Sequence, residues 1–92
     1  MKTDFNKLSQ HYYIKSTRYR FTKRPDDFAH GYNRVSNWIS ELLYYCISKE
    51  RHYQEDLTKE FALLLEKKRS EIMTLEPSAY RSGLLKALDD VI

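Results

Sequence analysis

The chain has very few of the residues that break helices or staple loops. Of its 92 residues, two are glycine (Gly31 and Gly83), two are proline (Pro25 and Pro77) and one is cysteine, Cys46. An all-β domain of this length needs several turns rich in glycine and proline, so their scarcity argues against one and predicts a helical fold. A lone cysteine makes neither an intramolecular disulfide nor a Cys-based zinc cage. That argues against a disulfide-stapled secreted scaffold and predicts a reduced, cytoplasmic protein. The longest apolar run, Leu42 to Ile47, falls far short of a membrane span, and the polar start around Lys2 and Asp4 lacks the apolar core of a signal peptide. Neither a membrane partner nor a targeting segment is expected. The length itself allows one domain, with an arm over 1–24, a helical hairpin over 25–76 and a C-terminal helix over 77–92.

Motifs that would name a reaction are absent too. There is no glycine-rich phosphate loop, no HExxH and no GxSxG. Asp27 and His30 stand three apart, and His52 and Asp56 four apart, spacings that share a helix face. The inward glutamates that a carboxylate-rich metal bundle adds to such pairs are missing. Cys46 falls on an apolar stripe, where a cysteine packs as a small hydrophobe. The expectation is a protein that is not an enzyme and has neither cofactor nor metal.

What the chain does have is periodicity. Phe28, Tyr32, Val35, Ile39, Leu42 and Cys46 recur at spacings of four and three, the stripe of an amphipathic helix, with Pro25, Asp26 and Asp27 suited to its first turn. The phase fails within 48–55, so a break is placed there. A second stripe runs through Leu57, Phe61, Leu64 and Leu65 to Ile72 and Leu75, and a third through Tyr80, Leu84, Leu88 and Val91. The expected helices span about 26–48, 55–75 and 78–90. The expected core includes Phe28, Val35, Ile39, Leu42, Leu57, Phe61, Leu64 and Leu88. Beside the third stripe, Ala79, Gly83 and Ala87 repeat every fourth residue. A row of small side chains lets another helix approach closely, and a close contact there would offset the roughly 1 kcal/mol that glycine costs inside a helix.

The arm reads differently. Phe5, Leu8 and Tyr12 align with helical spacing, predicting a short helix over about 3–10. From Tyr13, alternate positions are rich in aromatic and β-branched residues (Tyr13, Thr17, Tyr19, Phe21), predicting an extended stretch over about 12–22. The fold class expected is therefore all-α: a small helical bundle, or a helical hairpin plus a C-terminal helix, preceded by a basic, aromatic arm. A basic extended segment, Lys15 to Arg24, followed by two helices resembles the element order of ribbon-helix-helix repressors, in which two strands pair across a dimer and enter the major groove. The likeness is one of order alone, because the break within 48–55 has no glycine turn.

Charge is distributed unevenly. Residues 1–24 hold seven lysines and arginines against Asp4 alone, while the remaining residues are net acidic. Lys15, Arg18, Tyr19, Arg20, Lys23 and Arg24 combine cations with aromatic rings, a composition that neutralises phosphates and stacks on bases, or that meets an acidic protein surface. The adjacent Asp89 and Asp90 oppose the dipole at a helix C-terminus, so basic groups are expected near them, the arm first among the candidates. Leu42 to Ile47 and Phe61 to Leu65 are apolar on more than one face, a surplus that predicts self-association as a homodimer. Two functions follow as expectations. The first is a small, self-associating, non-catalytic protein–protein interaction module of adaptor, inhibitor or antitoxin-like kind. The second is a small dimeric regulator that binds nucleic acid through the basic arm.

Overall fold

In a computed structural model, which describes residues 3–91, the chain is all-helical: α1 (Phe5–Arg20), α2 (Asp27–Tyr53), α3 (Thr58–Met73) and α4 (Ala79–Asp89), with no strand among the described residues. Three of the four helices begin at a side chain that satisfies a free amide of the first turn. Asp4 accepts from the Lys7 amide at 3.1 Å, Asp26 from the Ala29 amide at 2.8 Å, and Ser78 from the Arg81 amide at 3.0 Å. At α3 the corresponding residue is Leu57, and Asp56 instead accepts from the Thr58 amide and hydroxyl at 3.0 and 2.7 Å. The Thr58 hydroxyl in turn accepts from the Thr3 amide at 2.9 Å, which ties the start of the chain to α3.

The break after α2 occupies 54–57, later than expected: α2 continues five residues past 48, and the break overlaps the expected 48–55 only at Gln54 and Glu55. Its instrument is Gln54, the one non-glycine residue with positive φ among the described residues (φ 54°), whose amide donates to the Glu50 carbonyl at 2.9 Å. A left-handed residue commonly ends a helix, but glycine or asparagine usually supplies it. That is why neither glycine nor proline marks this turn.

The extended stretch expected over 12–22 is not found: α1 is one continuous helix through Arg20. The alternation of rings and cations that reads as a strand coexists with a helical stripe, Phe5, Tyr12 and Ser16, that is fully buried, with Leu8 and Tyr19 packed against the core beside it. As a helix the segment pairs its own backbone N–H and C=O groups, so no partner strand is required. The likeness in element order to ribbon-helix-helix repressors goes with the strand.

Helix α4 packs most extensively on α2, α1 lies along α2, and α3 rests on α4. One core joins all four: Phe5 and Tyr12 from α1, Tyr32, Val35, Ile39, Leu43 and Cys46 from α2, Phe61 and Ile72 from α3, Leu84, Ala87 and Leu88 from α4, with Leu57 and Val91 at its edges. The Phe5 and Phe61 rings meet edge to face at 5.2 Å, closing α1 against α3. Of the expected core, Val35, Ile39, Leu57, Phe61 and Leu88 are buried, whereas Phe28, Leu42 and Leu64 are half-buried. The α2 stripe runs through Leu43 rather than Leu42.

Candidate functional site

Both glycines of the chain serve a single crossing. A Cβ added to Gly83 would strike the Phe28 carbonyl oxygen and lie 2.9 Å from the Tyr32 amide nitrogen; one added to Gly31 would strike the Tyr80 carbonyl oxygen and lie 3.2 Å from the Leu84 nitrogen. The main chains of α2 and α4 therefore touch where these residues meet. Ala87 is fully buried further along α4, whereas Ala79, at its start, is exposed. Of the small-residue row, Gly83 and Ala87 face the body. Gly31 completes the crossing from α2, a role invisible without the pairing of the two helices.

Next to the crossing, α1 contributes a buried polar cluster. The Tyr12 hydroxyl donates to the Ala87 carbonyl at 3.0 Å, and the Tyr32 hydroxyl donates to Asp90 Oδ2 at 2.7 Å. Arg20 Nη2 donates to Ser16 Oγ at 2.8 Å and Ser36 Oγ at 3.5 Å, joining two serines that are almost completely buried. Burial pushes the Tyr12 hydroxyl up to about 12, against the opposing effect of hydrogen bonding to Ser36. The Tyr32 hydroxyl is also raised, by burial first and by its bond to Asp90 second.

The acidic end of α4 is met from several sides. Asp89 pairs with Arg69 at 2.5 Å and Asp90 with Lys86 at 3.0 Å, and Lys15 Nζ donates to the Asp90 carbonyl at 3.2 Å. Of these cations, Arg69 is on α3 and Lys86 on α4. From the basic N-terminal segment, Lys15 reaches the main chain of this corner.

The cations and rings of that segment divide by helical geometry. Positions 18 and 20 lie about 200° apart around a helix, so Arg18 and Arg20 do not share the face that an extended chain would give them. Arg20 turns inward to the serines and covers the Tyr13 ring at 4.7 Å. Tyr19 is half-buried, stacked on Tyr32 at 4.1 Å and close to Phe28 at 5.6 Å. Lys15, Arg18, Lys23 and Arg24 are exposed. Lys7, His11, Lys15 and Arg18, spaced four, four and three, form an exposed stripe on α1, and no acidic residue occurs from Phe5 to Pro25.

A second surface opens between α2, α3 and α4: a groove of about 730 Å³ lined by Arg34, Trp38 and Glu41 of α2, Ile72 of α3, and Leu75 and Tyr80. Lys68 reaches across it, 4.6 Å from the Trp38 ring and 3.5 Å from Glu71. Large side chains also stand in solvent: Ile14, Tyr44 and Leu63 are 70, 74 and 66 % exposed.

For nucleophilic chemistry, Cys46 is poorly placed. It is buried, and burial together with the charges of Glu60 and Glu50 pushes its thiol up to about 11, opposite to the shift that a reactive thiolate needs. Among the described residues no group of three or more His, Cys, Asp or Glu side chains is placed to hold a metal ion, and no helix is long and apolar enough to cross a membrane. In comparisons with known proteins, no family model, curated protein or solved structure matches this chain.

Proposed function

We propose that the chain is a non-catalytic, self-associating helical module for protein–protein interaction, an adaptor, inhibitor or antitoxin-like protein of the cytoplasm. The observation that carries this reading is the apolar surplus on α2 beside the groove. Leu43 and Cys46 fill the core, yet Tyr44 and Tyr45 of the same run are exposed, and Trp38 sits half-buried on the groove wall. Single exposed hydrophobes are ordinary. Trp38 and Tyr45 are seven residues apart and so share one face of α2, with Trp38 on the groove wall, and paired aromatic side chains of this kind are enriched at interface centres. Light scattering during size exclusion tests the reading: a mass above that of one chain is expected, and the mass of one chain at every loading would overturn self-association.

A second reading, a dimeric regulator that binds nucleic acid, is favoured by the acid-free stripe Lys7, His11, Lys15 and Arg18, continued by Lys23 and Arg24 in the turn after α1. Fluorescence anisotropy with duplex and single-stranded oligonucleotides at two salt concentrations tests it. Binding that weakens steeply with salt is expected of phosphate contacts, and no binding at low salt would eliminate this reading.

A further inference from the structure

We propose that two copies of the chain pair through the outer face of α2, antiparallel about a two-fold axis beside Asn37 and Trp38, with Arg34 of each copy opposite Glu41 of the other. The inference rests on the self-association reading above and assigns its surface.

The argument starts from spacing. Arg34 and Glu41 are seven residues apart on α2, two helical turns, so they share a face. Both are exposed, and neither side chain has an ion pair or hydrogen bond with any described residue, whereas Lys68, Lys86 and Arg69 on neighbouring elements are all paired. A face with a cation at one end and an anion two turns later is complementary to itself in one orientation. In a two-fold contact, residue i opposite residue j places j opposite i. Antiparallel helices then give two Arg–Glu contacts; parallel helices give Arg against Arg and Glu against Glu.

The same register is consistent along the helix. The midpoint of 34 and 41 falls between Asn37 and Trp38, which places the half-buried indole, covered on its groove side by Lys68, beside the axis, where interfaces concentrate aromatic anchors. Tyr45 comes opposite His30 of the second copy, both exposed on this stripe. Lys49 comes opposite the N-terminal end of α2, where Asp26 and Asp27 stand. α2 has 27 residues, about 40 Å of straight helix, so the register runs for most of its length.

A charge swap tests the assignment. Sedimentation is measured for wild type, Arg34→Glu, Glu41→Arg and the double variant, with circular dichroism to verify helicity. Each single change creates two like-charge contacts by symmetry and is expected to raise the dimer dissociation constant about tenfold or more, whereas the double variant is expected to return to within about threefold of wild type. Raising the salt concentration should shrink the difference. Trp38, the single tryptophan, supplies an independent readout: its emission should shift on dilution of the wild type. A dimer indifferent to all three variants, or a double variant as weak as the singles, would overturn this interface and leave self-association standing. A wild type that remains monomeric at every concentration would overturn both.

Discussion

Gly31 and Gly83 lie at one crossing, each against the main chain of the other's helix, so α2 and α4 approach more closely than any residue with a side chain would allow. The closeness has a use. It brings the end of α4 against α2 and α1, where Asp90 meets Tyr32 and Lys15, and it leaves α3 to rest on α4 with the Trp38 groove open beside it.

Glycine-to-alanine substitution usually strengthens a helix interior by about 1 kcal/mol. Here the sign should reverse. Gly83→Ala and Gly31→Ala each place a Cβ onto a carbonyl oxygen, and the helices must separate, costing about 1 to 3 kcal/mol as overpacking does. Urea unfolding measures this, and a stabilised variant at either position would contradict the crossing.

The phase of α2 is tested by a neighbouring pair. Leu43 is 1 % exposed, whereas Leu42 is half-buried. Leu43→Ala should therefore cost about 2 to 5 kcal/mol, and Leu42→Ala distinctly less, by the same unfolding measurement. Equal losses would mean that the helix is rotated from the position described.

Much of this architecture is legible in the sequence. The stripes on α2, α3 and α4 set three helices, with Pro25 and Pro77 at their edges, and only the end of α2, five residues beyond the expected 48, is misplaced by more than three residues. The start of α1 is legible in Phe5, Leu8 and Tyr12, but its continuation to Arg20 is not, because a polar residue, Ser16, takes the next position of the buried stripe. Its burial depends on Arg20 and Ser36, a partnership formed only once α1 lies on α2. The cations of 1–24 can be counted in the sequence, but helical rotation decides that Arg20 turns inward while Arg18 stays in solvent. The groove has no linear signature at all, since its walls come from three helices.

Gln54 offers a second test of a backbone conformation. A non-glycine residue at φ 54° bears a steric cost of roughly 1 kcal/mol that glycine avoids. Gln54→Gly should stabilise the chain by about 0.5 to 1 kcal/mol in thermal or urea unfolding, and a loss of stability would contradict the left-handed end of α2.

Alkaline pH should destabilise the fold. Tyr12 is raised from 10.0 to about 12, Tyr32 is raised from 10.0, and Cys46 is raised from 9.0 to about 11. Between its unfolded and folded values each group holds its proton in the native state and loses it in the unfolded chain, so the unfolded state binds fewer protons and stability falls as pH rises. The contribution is intact below pH 9 and is lost progressively from there, most steeply from pH 10 to 12. Melting temperatures across this range check it, and a flat profile to pH 12 would contradict the burial of these hydroxyls.

The central claim, that this is a self-associating module, is tested most directly by sedimentation equilibrium of the wild-type chain over a wide concentration range, without nucleic acid. The account predicts an average mass that rises with concentration from that of one chain toward that of two and then levels off. A mass that stays at one chain throughout would contradict it.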